Sequence, residues 1–219
     1  MNLKNALLSS ILVGMTSNFT LALASGKHVL NGDVTGQTGQ LETSAEALSA
    51  EEEADIVFMR EEEKLARDVY IFLYDQWANA VFDNISASEQ RHMDSMAVLV
   101  NTYGLTDPVQ DSRVGAFTNP DLATLFTTLT VRGQVSQLEA LRVGAFIEEV
   151  DMRDIQAAID NSDHADINQT YENLLRGSRN HLRAFVRTIE NLGVVYEAQV
   201  LPQSEIDAIV DSPIERGGS

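Results

Sequence analysis

The chain has 219 residues, of which 44% are hydrophobic, and a formal net charge of −18. This hydrophobic content is sufficient for a folded core, whereas phosphate binding requires a basic surface, so nucleic acid is not an expected partner. Because the sequence contains no cysteine, a metal site in it would rely on carboxylate and imidazole ligands.

Residues 1–24 have the pattern of a secretory signal peptide. Lys4 precedes an apolar stretch, and the small-x-small motif ALA at 22–24 provides a cleavage site. A membrane anchor is the alternative interpretation, but the polar residues TSN at 16–18 interrupt the apolar run well short of a membrane span. We therefore expect an exported protein, periplasmic or extracellular, with no membrane span after cleavage.

The rest of the chain divides by composition into three parts. Residues 25–50 are rich in Gly, Ser and Thr, which predicts a flexible linker. Residues 51–195 have the periodicity of long helices, and residues 196–219 form an acidic tail with a short helix over PQSEIDAIV. The sequence thus predicts one helical domain between a linker and a tail.

Four long helices are predicted in chain order, at about 51–80, 86–103, 134–159 and 167–192. All four prolines lie outside them, as expected for residues that break helices. Short loops join the first helix to the second and the third to the fourth, whereas the link between the second and third is long and carries a short helix. This order predicts an all-α fold, an antiparallel four-helix bundle with one long crossover that carries a short extra helix.

Each long helix has an apolar seam at three-four spacing, which is typical of a face that packs in the core of a bundle. A few polar or ionisable residues interrupt these seams. They are Glu63 on the first helix, Glu89 and His92 on the second, Glu148 on the third, and Ser178 and His181 on the fourth.

These side chains predict a metal site. Burying an ionised carboxylate is costly unless the group is paired or bound to a cation. Three carboxylates and two imidazoles that converge without a cation would repel one another or become protonated, and a divalent metal removes this conflict. Oxygen and nitrogen ligands without sulfur suit iron, manganese or zinc.

Most of these residues also have a purely structural interpretation. Glu89 fits the third position of a capping box that begins at Ser86. Glu63 belongs to the charged run EEEK, which is typical of a solvated helix face. Glu148 is one of two adjacent glutamates, so its place on the seam could be a coincidence, and His181 could be a hydrogen-bonded core residue. These alternatives stay open at the level of sequence.

Several motifs resemble a known superfamily. The first helix contains E-x-x-A-R-x-x-Y, from Glu63 to Tyr70, and the second contains F-x-x-I followed by E-x-x-H, from Phe82 to His92. Together with a glutamate on the third helix, they resemble the ferritin-like superfamily and in particular its rubrerythrin branch. The segments EEEKLARDVY, SEQRHM, LRVGAFIEEVD and GSRNHLRAF resemble an uncharacterised ferritin-like family, domain of unknown function 2202 (DUF2202), over about residues 50–200.

The resemblance implies a carboxylate-bridged site, with two iron ions. Glu63 and His92 would bind one ion and His181 the other. Glu89 and Glu148 would bridge them, because each carboxylate has two oxygens that can bind different cations.

The fourth helix departs from the family pattern. It has Ser178 where a second E-x-x-H motif would place a glutamate. Asp151, one turn beyond Glu148 on the third helix, is one predicted source of the missing oxygen. The alternatives are that the second metal is weakly held or that only one metal binds.

The implied activity is that of a di-iron oxidoreductase, an oxidase or peroxidase that reacts with dioxygen or peroxide. Tyr70, on the seam of the first helix, is the predicted catalytic residue, as a hydrogen-bond donor or an electron carrier. The alternative is a packing role, with its hydroxyl at a buried partner. The electron donor would be another molecule, because the chain has no cysteine-based redox module. Two alternatives are a metal-binding or storage protein without turnover, and a structural bundle with a degenerate site. Whether the chain forms a homo-oligomer is left open.

Overall fold

The structure is a computed structural model that describes residues 47–217. This part contains six α-helices and no strand, which confirms the all-α prediction for these residues. The helices are α1 Ala50–Trp77, α2 Ala80–Thr102, α3 Pro120–Gly133, α4 Gln137–Asn161, α5 Ala165–Glu190 and α6 Gln203–Val210. The signal peptide predicted over 1–24 and most of the predicted linker lie outside the described residues. Within the described part, no helix has the length and apolarity needed to cross a membrane.

The first helix begins with a capping box. The side chain of Ser49 accepts a hydrogen bond from the backbone N–H of Glu52, whose carboxylate accepts one from the backbone N–H of Ser49. α1 ends at Ala78, where a left-handed backbone (φ 49°) stops the helix. The side chain of Asn79 then caps α2, so only two residues separate the helices. Such a short connection makes α1 and α2 neighbours.

The second helix begins at Ala80 rather than near Ser86. The hydroxyl of Ser86 donates to the carbonyl of Asp83 inside the helix, so Ser86 caps nothing. The capping-box interpretation of Glu89 is therefore wrong, because Glu89 lies in the interior of α2 and is buried.

The long helices pack in two pairs, α1 with α2 and α4 with α5. α1 also contacts α4, and α2 contacts α5, so one hydrophobic core draws on all four. The rings of Tyr70, Phe82 and Phe185 meet in this core, with centroids 5.2–6.3 Å apart. α3 lies in the long link between α2 and α4, as predicted, and contacts both α1 and α4.

The charged run EEEK at 61–64 is buried, so its interpretation as a solvated face is wrong. None of the four residues is more than 4% exposed. The carboxylate of Glu61 accepts hydrogen bonds from the backbone N–H groups of Thr118 and Asn119, at 2.5 and 2.9 Å. It thus holds the end of the crossover against α1.

Lys64 and Asp68 hold the middle of the same crossover. Lys64 Nζ lies 2.5 Å from Asp68 Oδ2 and donates to the carbonyl of Arg113 at 2.8 Å. Asp68 also accepts from the backbone N–H of Gly115 at 3.0 Å and from the guanidinium of Arg67. These buried charges are paired and hydrogen-bonded, which is the condition under which charges are tolerated inside a protein.

Glu149 anchors the C-terminal segment. Its carboxylate accepts hydrogen bonds from the hydroxyl of Tyr196 at 2.5 Å and from the backbone N–H groups of residues 199–201. Two arginines of α5 bind the carboxylate of Glu215 near the end of the described chain. The two neighbours Glu148 and Glu149 therefore have different surroundings. Glu149 binds the C-terminal segment, whereas Glu148 faces the interior of the helix assembly.

Candidate metal centre

The structure brings five of the predicted side chains together among the four long helices. α1 supplies Glu63, α2 supplies Glu89 and His92, α4 supplies Glu148, and α5 supplies His181. The three glutamates are each 1% exposed, and the two imidazoles are at most 12% exposed. We call this group the imidazole–carboxylate centre.

Glu89 lies between the two histidines. Its Oε2 is 2.8 Å from His92 Nδ1, and its Oε1 is 2.9 Å from His181 Nδ1. The two rings are stacked with centroids 5.4 Å apart. The three-residue spacing of Glu89 and His92 places both on one face of α2.

A second carboxylate accompanies each imidazole. Glu63 Oε2 lies 3.2 Å from His92 Nδ1, and Glu148 Oε2 lies 3.4 Å from His181 Nδ1. Each imidazole nitrogen that faces the interior is thus near two carboxylates, one of which is Glu89. The arrangement has an approximate twofold character, with one imidazole and one glutamate on either side of Glu89.

The carboxylate oxygens and imidazole nitrogens of the centre are suited to bind a metal. Glu63 Oε1, Glu89 Oε2 and His181 Nδ1 are buried and make no hydrogen bond of acceptable geometry within the described part of the chain. One ligand atom from each of Glu89, His92 and His181 lies within 4.8 Å of the others. Buried polar atoms without hydrogen bonds are rare in proteins, and imidazole with carboxylate suits iron, manganese and zinc.

Burial and the neighbouring charges shift the pKa values of the groups in the centre. Burial raises the pKa of Glu63 and of Glu148 to about 7 in each case. Burial alone would lower the pKa of His181, but the charges of Glu89 and Glu148 outweigh it and raise the pKa to about 10. Burial likewise opposes ionisation of Glu89, yet the two histidines bring its pKa below the ordinary value.

Tyr70 contacts the centre through Glu148. Its hydroxyl donates to Glu148 Oε1 at 2.6 Å and lies 3.3 Å from the carbonyl oxygen of Gly144. The side chain is fully buried, and burial together with the charges of Glu148 and Glu89 raises the pKa of Tyr70 well above its ordinary value. The phenol therefore keeps its proton.

Asp151 lies beside the centre and contacts Ser178. The hydroxyl of Ser178 donates to Asp151 Oδ2 at 2.5 Å and also to the carbonyl of Leu174. Asp151 is thus hydrogen-bonded to the serine that replaces the expected glutamate, rather than to either histidine. Burial and the charges of Glu63 and Glu148 raise the pKa of Asp151 well above its ordinary value.

Gly177 makes room for His92. A Cβ at this position would lie 2.5 Å from both Cε1 and Nε2 of the imidazole ring. No side chain larger than hydrogen fits there without moving the ring. A helical glycine beside the predicted ligands indicates close helix approach, room for a metal and substrate, or tight packing, and the contact that requires it here joins α5 to α2.

Glu62 is a buried carboxylate that the seam pattern missed. It is 4% exposed, and neither of its oxygens has a hydrogen-bond partner within the described residues. Its burial and the charges of Asp154, Asp151 and Glu63 raise its pKa well above the ordinary value. The available sequence signal for Glu62 was its position in the charged run EEEK, which predicted a solvent-exposed side chain.

Comparisons with known proteins identify relatives of this chain. The family model for an uncharacterised protein domain, DUF2202, matches residues 52–213. The uncharacterised protein MJ0754 of Methanocaldococcus jannaschii is 45% identical over 170 residues, which are 78% of this chain and 92% of that protein. The crystal structure of hypothetical protein MJ0754 from Methanococcus jannaschii DSM 2661 aligns with a TM-score of 0.77 at 43% identity, covering 80% of this chain and 99% of that chain.

Proposed function

The chain belongs to the DUF2202 family, and we propose that it binds a pair of iron ions at the imidazole–carboxylate centre and uses them to reduce dioxygen or peroxide. The observation that carries this proposal is the position of Glu89, whose two oxygens lie 2.8 and 2.9 Å from different imidazoles. A carboxylate in this position can bridge two cations.

The geometry supports one assignment of ligands. His92 and Glu63 would hold one ion, His181 and Glu148 would hold the other, and Glu89 would contact both. This assignment differs from the sequence-based hypothesis in the role of Glu148. One of its oxygens accepts a hydrogen bond from Tyr70, which leaves the other for the ion beside His181.

The metal and the side chains of the protein would have different roles in the reaction. When bound, iron would supply the electrons that reduce the oxidant, whereas zinc in the same ligands has no redox chemistry. Tyr70 holds a proton 2.6 Å from Glu148 and keeps that carboxylate in one orientation. We assign to Tyr70 the donation of a hydrogen bond at the centre, and a separate donor molecule would return electrons to the oxidised iron.

We propose that the four long helices form a ferritin-like antiparallel bundle. The pairing of α1 with α2 and of α4 with α5, the short links within each pair, and the long crossover with α3 support this arrangement. We also propose that the protein is exported, on the basis of the signal-peptide pattern at 1–24. N-terminal sequencing of the secreted chain should then begin at Ser25, and an uncleaved N-terminus would contradict export by this route.

Iron content and oxidant consumption together test the proposed function. The full mature chain, loaded with ferrous iron without oxygen, should retain iron and then consume dioxygen or peroxide. His92→Ala should lose both properties. Glu149→Gln is the matched control, because Glu149 is a buried glutamate next to Glu148 that binds the C-terminal segment instead. Equal iron content in the wild type and the His92 variant would contradict the proposal.

Ser178 favours a second candidate function, metal binding without turnover. Its hydroxyl is hydrogen-bonded to Asp151, and the residue has no carboxylate that could bind a metal at the centre. A centre with one carboxylate fewer holds its metal with less charge compensation. Retention of iron without any consumption of dioxygen or peroxide would select this alternative.

A further inference from the structure

Residues 211–217, at the end of the described chain, lie against α5, and we call them the C-terminal strap. The carboxylate of Glu215 accepts hydrogen bonds from the guanidinium groups of Arg179 and Arg183, at 2.5–3.1 Å. The backbone of Glu215 also donates to Oδ1 of Asn180 at 3.0 Å and accepts from its Nδ2 at 2.9 Å. Contacts between arginine and a carboxylate are among the stronger hydrogen bonds in proteins, so Glu215 fastens the strap to α5.

The strap has little other attachment to the fold. The hydroxyl of Ser212 accepts a hydrogen bond from Arg183 at 2.7 Å. Ile214, its one large apolar side chain, is 71% exposed. Segments with few buried apolar contacts are the ones that open most readily from a folded protein. The closed position of the strap therefore depends mainly on the polar contacts of Glu215.

The strap forms one wall of a cleft of about 860 Å³ between α2 and α5. α2 contributes Asn84 to the lining, α5 contributes Asn180 and Arg183, and the strap contributes Ser212 and Ile214. The lining thus includes amide, guanidinium and hydroxyl groups, which bind water and polar solutes through hydrogen bonds.

The cleft lies beside the imidazole–carboxylate centre. Asn180 is adjacent to His181 in α5, and Asn84 precedes Glu89 by five residues, about 7.5 Å along a helix. The side chains of His92 and His181 are 12% and 10% exposed, so neither imidazole is sealed from solvent. The contact between α2 and α5 therefore leads from the cleft towards both rings.

We propose that the C-terminal strap is a gate on the route by which metal ions and small polar solutes reach the imidazole–carboxylate centre from this cleft. While Glu215 holds the strap against α5, the route is narrow, and release of Glu215 widens it. The inference rests on the proposed function, because it supplies the entry route for the metal and the oxidant. Movement of the strap and access to the imidazoles can nevertheless be measured without metal.

Modification of the histidines by diethylpyrocarbonate, followed by peptide mass spectrometry, tests the gate on the full mature chain without metal and at one pH. Glu215→Gln should be modified about 10-fold faster at His92 and His181, the lower end of the effect of losing a hydrogen bond to a charged group. His164, which contacts Glu52 and Tyr103 instead, should react at the wild-type rate. Glu197→Gln is the matched control, because it changes the charge equally at an exposed residue outside the strap.

Arg179→Gln breaks the same contact from α5 and provides a second test. Its side chain is 27% exposed, so the substitution leaves the core intact. Backbone hydrogen exchange in the C-terminal strap should be faster in both variants than in the wild type, and the two imidazoles should be modified faster in both. Unchanged exchange, or faster exchange with wild-type modification of His92 and His181, would overturn the gate. Faster modification of all three histidines would indicate general loosening and would also overturn it.

Iron binding separates this inference from the proposed function. A gate alters the rates of entry and exit equally and leaves affinity unchanged, provided that the open and closed forms bind the ion equally well. Glu215→Gln should therefore take up and release ferrous iron faster by one common factor in anaerobic stopped-flow measurements. Faster histidine modification in a protein that binds no iron would support the gate and contradict the metal centre. Iron bound and released at wild-type rates by both variants would support the centre and overturn the gate.

Discussion

At the scale of single residues, Gly177 determines where the ring of His92 can lie. A Cβ at position 177 would lie 2.5 Å from two ring atoms, so a side chain there must displace the imidazole from its position. Changes that misorient a metal ligand lower metal affinity by about 10–100-fold. We expect Gly177→Ala to lower iron affinity by this factor, measured by anaerobic titration with ferrous iron.

Gly144→Ala is the control for this substitution. A Cβ at Gly144 would collide with the ring of Phe185 in the hydrophobic core instead of with the ring of His92. The Gly144 variant should lose thermal stability, whereas the Gly177 variant should lose metal affinity. If both variants lose stability and neither loses affinity, Gly177 is a packing residue only.

The protonation of the centre predicts how iron binding depends on pH. His181, with its pKa raised to about 10, carries a proton at pH 7, and Glu63, with its pKa raised to about 7, is partly protonated there. A metal displaces these protons. Affinity should therefore rise as pH increases from 6 towards 10, and binding at pH 7 should release protons, measurable by calorimetry in buffers of different ionisation enthalpy. Binding without proton release at pH 7 would show that the imidazoles are already neutral.

Substitution of Tyr70 distinguishes the residues needed for metal binding from those needed for turnover. Tyr70→Phe removes the hydroxyl that donates to Glu148 at 2.6 Å but leaves the Glu148 oxygen near His181. The variant should retain both iron ions and consume oxidant about 10²-fold more slowly, the lower range for a lost hydrogen-bond donor at a reaction centre. Stopped-flow rates and iron content measured on one sample check this. An unchanged rate would mean that Tyr70 only packs in the core.

At the scale of elements, α1 has two functions that share one run of charges. Glu61, Lys64 and Asp68 bind the crossover, while Glu63 faces the centre. The crossover is thereby fixed to the helix that supplies a predicted ligand. Rigid support of this kind keeps ligand side chains in a productive geometry.

Lys64→Met tests this anchoring. The substitution keeps the aliphatic volume but leaves Asp68 with Arg67 as its remaining ion-pair partner. Breaking a buried pair should lower the free energy of unfolding by roughly 3 kcal/mol, measured by urea denaturation. Arg91→Met, at an exposed basic residue of α2, should have almost no effect. A similarly small effect of Lys64→Met would show that the ion pair adds no net stability.

The element boundaries show what periodicity can predict. The helices were predictable because apolar residues recur at helical spacing, and Pro120 and the glycines mark turns. The start of α2 was predicted too late, because the Asn79 cap is a weaker signal than the Ser86 box. The charged run of α1 was predicted to face solvent, because sequence does not reveal the crossover backbone that satisfies Glu61 and Lys64.

At the scale of the whole molecule, the predicted site residues meet because four seams face one core. Three-four spacing assigns a residue to a face of its helix, so Glu89 and His181 could be placed inward from sequence alone. The position along the helix axes at which these side chains meet depends on how the helices pack against one another. For the same reason the burial of Glu62 escaped prediction, and the glycine at 177 indicated a close approach without identifying His92 as the side chain that it contacts.

The central claim is that buried carboxylates and imidazoles of four helices bind metal together. Crystals grown with ferrous iron without oxygen, and measured at the iron absorption edge, test it most directly. The account predicts anomalous density on both sides of Glu89, one peak beside His92 and one beside His181. Density confined to surface carboxylates, or none near either imidazole, would contradict it.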